Sequence, residues 1–245
     1  MGRLVLKVTV AVVAAVVAIL LGLEARRFIT LSRGQVTAAV VTAAALAAGS
    51  TIAAAISEWR HRSDVDADAD RDVVLSATAW AIVDLVMVDY RDIGLAVYRV
   101  GREPLRPWRR RLVRVHRVRA RRRPTASKVR WAPGKGVIGA CVERGQVVAQ
   151  DLRAAYSALG PVTREEWEAL PADIRLGLTF DELTDVREKY DVVVATPIID
   201  DSGGHGEVVG CVALDGPPGT LDDLGGDAVL GLLDSAGQTL LRQGL

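Results

Sequence analysis

The sequence predicts an α+β protein in which an antiparallel sheet flanked by helices follows a two-helix transmembrane hairpin. Three observations carry this prediction: two long apolar runs near the start, a short acidic segment after them, and strand-like and helical patterns through the rest. With 245 residues, of which 50% are hydrophobic and 25% charged, the chain can bury a core. This composition excludes a collagen-like chain and a disulfide-rich secreted module.

The two apolar runs are residues 4–23 and 36–57; the first has Lys7 as its only charge and the second has none. A run of ~20 apolar residues can cross a bilayer as a helix. When Lys7 is counted with the outer flanks, these carry four basic residues and the loop between the runs carries three, which slightly favours both termini on the cytoplasmic side. We therefore predict a multi-pass cell-membrane protein with residues 1–62 as the hairpin. A cleaved signal peptide is the alternative for the first run, and a soluble Ala-rich helix for the second.

An acidic segment and a helical pattern follow the hairpin. Residues 63–72, SDVDADADRD, predict a solvated acidic linker and lack the Gly and the final Glu of a calcium-binding EF-hand loop. Residues 73–90 keep apolar residues at helical spacing, although Asp84 and Asp89 interrupt the run. We predict a connecting helix there. Its apolar surface would pack on the following domain, on a second copy in a homodimer, or on both.

The remaining residues alternate between strand-like and helical patterns. The strand candidates are 93–100, 112–120, 137–142, 146–150, 192–199 and 208–214, and the helical patterns are 163–170 and 224–241. Thr163 and Glu166 have the spacing of a capping box. Strands followed by helices and then by further strands predict an α+β domain with an antiparallel sheet.

Residues 131–151, WAPGKGVIGACVERGQVVAQD, resemble the central motif of GAF domains: a glycine turn, a short segment of small residues, and an apolar strand ending in Asp. Residues 193–203, with Pro197 between apolar residues, are similar to the next strand of that family, and 209–215 to its last strand. GAF domains are small-molecule-binding and dimerising sensor modules, similar in fold to PAS domains. The resemblance covers roughly residues 73–245. It implies a GAF-like sensor domain, and together with the predicted hairpin it predicts a membrane-anchored, non-catalytic sensor or signalling protein.

The glycine turn at 134–139 also satisfies G-x-G-x-x-G, but the segment after it breaks within a few residues, where a dinucleotide fold needs a long helix. Some GAF proteins reduce free methionine sulfoxide with cysteines in that turn and in a following loop. Here the turn holds Ile138, and Cys141 and Cys211 fall on predicted strands. We predict no enzyme, no cofactor and no metal. A ligand-free dimerisation, scaffold or effector module, and a thiol redox sensor or enzyme, are the alternatives.

The resemblance implies that the segment 153–191 caps a ligand cavity, because an insertion between the central strands does so in GAF domains. Aromatic packing with a few polar groups is typical of small-ligand pockets. The competing interpretation places Trp167 and Phe180 in the core. The candidate ligand-binding residues are Trp131, Trp167, Arg175, Phe180, Asp181 and Tyr190.

The region 102–135 contains 14 basic residues and Glu103 as its only acidic residue. A solvated surface, docking on anionic lipid or an acidic partner, and nucleic-acid binding are the three interpretations. The predicted membrane hairpin favours lipid over nucleic acid. The arginines expected to make that contact are Arg109, Arg110, Arg111, Arg121, Arg122 and Arg123.

Overall fold

The chain divides into two units, residues 1–66 and 67–245. The computed structural model describes residues 34, 37, 67–103, 106–121, 125 and 127–245. Apart from residue 37, the predicted spans lie outside the described residues, so the transmembrane hairpin stays a prediction. Within the described part of the chain, no helix has both the length and the apolar character needed to cross a bilayer.

The second unit begins with a helix, α1, whose described part is residues 67–86. This helix ends earlier than the predicted 73–90, because Met87 takes a left-handed φ of 56°. It also includes residues 67–72 of the predicted acidic linker, whose aspartates remain exposed in the helix. One face of α1 is buried at helical spacing through Leu75, Ala79 and Ile82.

Five strands form one antiparallel sheet. They are β1 (Gly94–Glu103), β2 (Arg106–Arg119), β3 (Val148–Asp151), β4 (Val192–Asp200) and β5 (Glu207–Gly216). Their order is β2-β1-β5-β4-β3, and every pairing is antiparallel. The predicted antiparallel sheet is therefore confirmed. Strand β2 begins six residues before its predicted start at 112, because the basic stretch that precedes Leu112 also pairs with β1.

Among the described residues, six further helices follow α1. They are α2 (Gly136–Arg144), α3 (Leu152–Leu159), α4 (Arg164–Ala169), α5 (Phe180–Arg187), α6 (Leu221–Leu224) and α7 (Asp227–Arg242). The strand predicted at 137–142 is wrong, because these residues belong to α2. Every residue of α2 from Gly136 to Val142 is buried, so the apolar run has no alternation that would separate helix from strand. Cys141 consequently lies on a helix, whereas Cys211 lies on β5 as predicted.

Helices cover both faces of the sheet, and side chains alternate between them along each strand. On β1, Ala96 and Tyr98 pack into the cluster formed with α2 to α5. Leu95 and Val97, on the opposite face of the same strand, pack into the cluster formed with α1 and α7. Strand β1 therefore contacts both helical layers.

Candidate functional site

A small cavity lies between the sheet and the layer of α2, α3 and α5. Its volume is about 40 Å³, which leaves room for water or for a few heavy atoms. Most of the lining is aliphatic, with aromatic rings and a few polar groups at one side. The polar and aromatic lining residues are Tyr98, Arg117, Trp131, Tyr156, Tyr190 and Asp215.

Asp215, which lines the cavity, forms a buried ion pair with Arg119. Their side chains are only 13% and 12% exposed. They meet because Gly94 of the intervening strand pairs with Arg119 on one side and with Asp215 on the other. A Cβ at Gly94 would lie 2.7 Å from Asp215 Oδ1, so the glycine makes room for the pair. Burial raises the pKa of Asp215, and the charges of Arg119 and Arg117 oppose that rise.

Three tyrosines bring phenol groups to the cavity. Tyr156 of α3 is 6% exposed, and its hydroxyl has no hydrogen-bond partner among the described residues. Burial raises the pKa of Tyr156 to about 12. Burial also raises the pKa values of Tyr98 and Tyr190. The positive charge of Arg117 opposes this rise without reversing it. All three phenols are therefore neutral at physiological pH and can donate or accept a hydrogen bond.

The glycine turn of the GAF-like motif builds one wall of the cavity. Gly136 has a φ of 62°, and a Cβ there would lie 2.6 Å from the Trp131 ring, so only glycine lets the ring cover the turn. Lys135 Nζ lies 2.9 Å from Glu182 Oε1 at the first turn of α5. Burial alone would raise the pKa of Glu182, but hydrogen bonds from the Thr179 backbone and from Lys135 outweigh it and lower that pKa.

Of the predicted ligand-binding residues, Trp131 and Tyr190 line the cavity. Trp167 does not, because its side chain is fully buried in the core. Its indole Nε1 donates a hydrogen bond of 3.0 Å to the Leu178 carbonyl oxygen. This indole therefore ties α4 to the segment before α5.

The other three predicted residues also lie outside the cavity lining. Arg175 Nε donates a 2.9 Å hydrogen bond to the Leu170 carbonyl oxygen, which orders the loop between α4 and α5. The Asp181 carboxylate is exposed and lies 2.7 Å from the Arg164 guanidinium. The same guanidinium lies 5.1 Å from the centre of the Phe180 ring. These contacts join the ends of two short helices on the protein surface.

The sequence analysis missed Tyr98, Arg117, Tyr156 and Asp215. Tyr98 and Arg117 lie within strands whose neighbours in sequence predicted only a core or a solvated basic surface. Asp215 follows the apolar run of β5, and a carboxylate at the end of a buried strand was the sequence signal that could have identified it as a cavity residue. The Thr179 and Glu182 capping box of α5 was also missed, whereas the predicted Thr163 and Glu166 box is confirmed.

The two cysteines lie beside each other, away from the cavity lining. Both Cys141 and Cys211 are reduced and fully buried. A hydrogen bond with Cys141 and burial raise the pKa of Cys211 well above its ordinary value. This environment favours the neutral thiol, which is a poor nucleophile compared with the thiolate. Among the described residues, no group of three or more His, Cys, Asp or Glu side chains is placed to hold a metal ion.

Comparison with known proteins gives similar architectures at low similarity. No protein-family model matches the chain, and no curated protein matches its sequence. The GAF domain region of a Geobacter sulfurreducens PCA protein is 12% identical, with 75% of this chain and 95% of that chain covered and a TM-score of 0.44. The type II free methionine-R-sulfoxide reductase of Thermoplasma acidophilum is 12% identical, with 71% and 93% covered and a TM-score of 0.39.

A third similar structure is the free methionine-R-sulfoxide reductase of Neisseria meningitidis in complex with its substrate. It is 15% identical, with 70% of this chain and 90% of that chain covered and a TM-score of 0.36. At these identities and scores, neither a ligand nor an activity passes from those proteins to this chain.

Proposed function

We propose that the chain is a membrane-anchored, non-catalytic sensor whose GAF-like domain binds a small molecule in the cavity. The observation that carries the proposal is the Tyr156 hydroxyl, buried against the cavity with no partner among the described residues. A buried polar group without a hydrogen bond is destabilising by about 1–3 kcal/mol. A ligand that supplies the missing partner would remove this penalty, and it must bind more favourably than the water for which the cavity has room.

The cavity sets limits on that ligand. Its volume of about 40 Å³ suits a molecule of a few heavy atoms, unless side chains such as Trp131 move aside. Its lining favours a ligand with an apolar body and one hydrogen-bonding group directed at Tyr156. The charged lining residues are Asp215 and Arg117, which are opposite in sign, and Asp215 also pairs with Arg119. A ligand without a large net charge fits this lining best.

The sheet offers a route from the cavity to α1. Tyr98 lines the cavity, and its neighbour Val97 packs on the opposite face, in the cluster that holds α1. A ligand that displaces this part of β1 changes the packing of α1, which in sequence lies between the predicted hairpin and the rest of the domain. Signalling then requires two packings of α1 with different ligand affinities.

The absence of catalysis in this proposal is supported by the chemistry of the described residues. The two thiols are buried, and a hydrogen bond with Cys141 and burial raise the pKa of Cys211 well above its ordinary value. The cavity lining combines phenols, an indole and a paired carboxylate, with neither cysteine among the lining residues. This disfavours the alternative thiol redox sensor or enzyme, whose nucleophile must reach its substrate.

The test is native mass spectrometry of the purified full-length chain, followed by thermal-shift screening against small metabolites. We expect a bound molecule or a ligand-dependent rise in melting temperature that is lost in Tyr156→Phe. Tyr90→Phe is the matched control, because this substitution removes the same hydroxyl group outside the cavity. The Tyr90 ring stacks on Trp80. Ligand binding that survives Tyr156→Phe unchanged would contradict the proposed site.

A ligand-free dimerisation or scaffold module is the second candidate, favoured by the small size of the cavity and by α1. Val73, Trp80 and Leu85 of α1 remain 67%, 54% and 49% exposed. In this alternative, α1 packs against a second copy and the cavity stays empty. It predicts no co-purified molecule, no thermal shift in the screen, and a dimer by sedimentation that Trp80→Glu converts to a monomer.

A further inference from the structure

The hairpin of β1 and β2 extends beyond the rest of the sheet as a two-stranded ribbon. Pairing of β1 with β5 ends at Arg99, whereas pairing with β2 continues to Glu103. We define the ribbon as residues 100–103 and 106–112. Residues 106–111 are all exposed. This part of the hairpin is therefore accessible from both sides.

The charge of the ribbon is one-sided. It carries five arginines and Glu103 as its one acidic residue, which gives 5 − 1 = +4. Arg102 lies directly opposite Arg110 in the strand register. Like charges at directly opposed positions destabilise an antiparallel pair. The ribbon therefore accumulates positive charge at the expense of its own stability, as expected of a surface that meets an anion.

The ribbon arginines also have no carboxylate partners within the described part of the chain. The described ion pairs of neighbouring basic residues lie elsewhere: His116 Nε2 is 3.2 Å from Asp72, and Arg121 is 2.7 Å from Asp92. Arg110 donates a hydrogen bond of 3.2 Å to the Val208 carbonyl oxygen, which does not neutralise its charge. Of the predicted lipid-contacting arginines, 109–111 thus lie on the ribbon and Arg121 is paired. Arg122 and Arg123 lie outside the described residues.

An exposed tryptophan and an open groove adjoin these charges. Trp108 is 76% exposed on β2. A groove of about 690 Å³ runs beside it, lined by Arg99, Arg102 and Arg110 together with Asp200 and Glu207. Tryptophan is enriched at the interface of lipid and water, because its ring is apolar and its N–H polar. A nucleic acid would use the arginines as well, but the exposed indole of Trp108 beside them favours a bilayer.

We infer that the β1–β2 ribbon docks on anionic phospholipid, with Trp108 in the interfacial layer and the arginines on headgroup phosphates. This docking is independent of whether the cavity binds a ligand. Each arginine close to an anionic surface contributes about a fivefold change in affinity. Loss of three ribbon arginines is therefore expected to lower the docked-to-undocked ratio on the order of 100-fold.

The experiment uses the full-length chain with phosphatidylcholine vesicles that carry brominated acyl chains, with and without phosphatidylserine. Bromine quenches a tryptophan that enters the interface. We expect phosphatidylserine to increase the quenching, high salt to reverse the increase, and Trp108→Phe to remove it. Quenching that does not respond to phosphatidylserine, or that responds equally in Trp108→Phe, would overturn the inference.

Two sets of charge variants separate the ribbon from general electrostatics. One set replaces three ribbon arginines with glutamine, and the other replaces three exposed arginines elsewhere, so both lower the net charge equally. The ribbon set is Arg109, Arg110 and Arg111, and the control set is Arg91, Arg144 and Arg187. Only the ribbon set should lose the phosphatidylserine response; an equal loss in both sets would overturn the inference.

Nucleic acid is tested in parallel with the same variants. The detergent-solubilised full-length chain is titrated with fluorescent duplex DNA at physiological salt, and anisotropy is followed. We expect weak binding that the two variant sets reduce equally. Tight binding lost only in the ribbon set, with no phosphatidylserine response of Trp108, would assign the ribbon to nucleic acid and overturn lipid docking.

Discussion

Replacing Tyr156 with phenylalanine should stabilise the ligand-free domain while removing its response to ligand. The phenol ring is 6% exposed and its hydroxyl has no partner among the described residues. Phenylalanine keeps the ring and its packing but removes the unsatisfied group. Since such a group is destabilising by about 1–3 kcal/mol, we expect a gain of about 1 kcal/mol. In a domain of this size, that gain raises the melting temperature by about 2–4 °C.

The assay is thermal unfolding of the full-length chain without ligand, compared with Tyr90→Phe, which should change stability little. The gap between wild type and Tyr156→Phe should widen at alkaline pH. Burial raises the folded pKa of Tyr156 from 10.0 to about 12, so the wild-type chain loses stability as pH rises above 10.0, and the phenylalanine variant does not suffer this loss. A variant that is less stable than wild type would show that the hydroxyl is hydrogen-bonded in solution, which would refute the reasoning.

Three further predictions concern the turn and the thiols. Gly139→Ala should destabilise by more than about 3 kcal/mol, because the new Cβ would lie 2.2 Å from a backbone oxygen, whereas Gly203→Ala meets nothing within 4 Å and should be neutral in urea unfolding. Lys135→Met should lower stability by about 1 kcal/mol at neutral pH. Because the pKa of Glu182 is lowered, the stability difference between wild type and Lys135→Met should have its full size above pH 4.5. It should disappear as the pH falls through the folded pKa of Glu182, and a pH-independent difference would contradict the ion pair. Iodoacetamide should alkylate Cys211 far more slowly in native than in urea-unfolded protein, and equal rates would rule out the buried thiol.

The sheet could be predicted from the sequence because its strands are short apolar segments in which apolar and polar residues alternate or which end at turn residues. The runs at 192–199 and 208–214 are separated by Asp, Ser and Gly, and they become β4 and β5. Helix α2 could not be predicted in this way. It is covered on every side by the sheet and by the glycine turn, so its sequence lacks the polar face that identifies an amphipathic helix.

The cavity was harder to predict than the fold because its residues converge from distant parts of the chain. Trp131 lies in the GAF-like motif, and Tyr190 lies in the segment 153–191 that the resemblance places over a ligand cavity; both line the cavity. Tyr98 and Asp215 reach the same cavity only through the pairing of β1 with β5, in which Tyr98 lies opposite Cys211 and Asp215 opposite Gly94. No local sequence pattern records this pairing. Trp167 was misplaced because an aromatic residue in a short helix fits a core and a ligand pocket equally well.

The position of β2 at the edge of the sheet has a consequence for solubility. An open strand edge presents unpaired backbone groups that can recruit the edge of another chain and begin aggregation. The exposed arginines of residues 106–111 repel the same arginines of a second copy, which prevents the β2 edges of two chains from pairing in water. Polyanions that screen this repulsion should therefore promote self-association of the protein, edge to edge, at concentrations where it is otherwise dispersed.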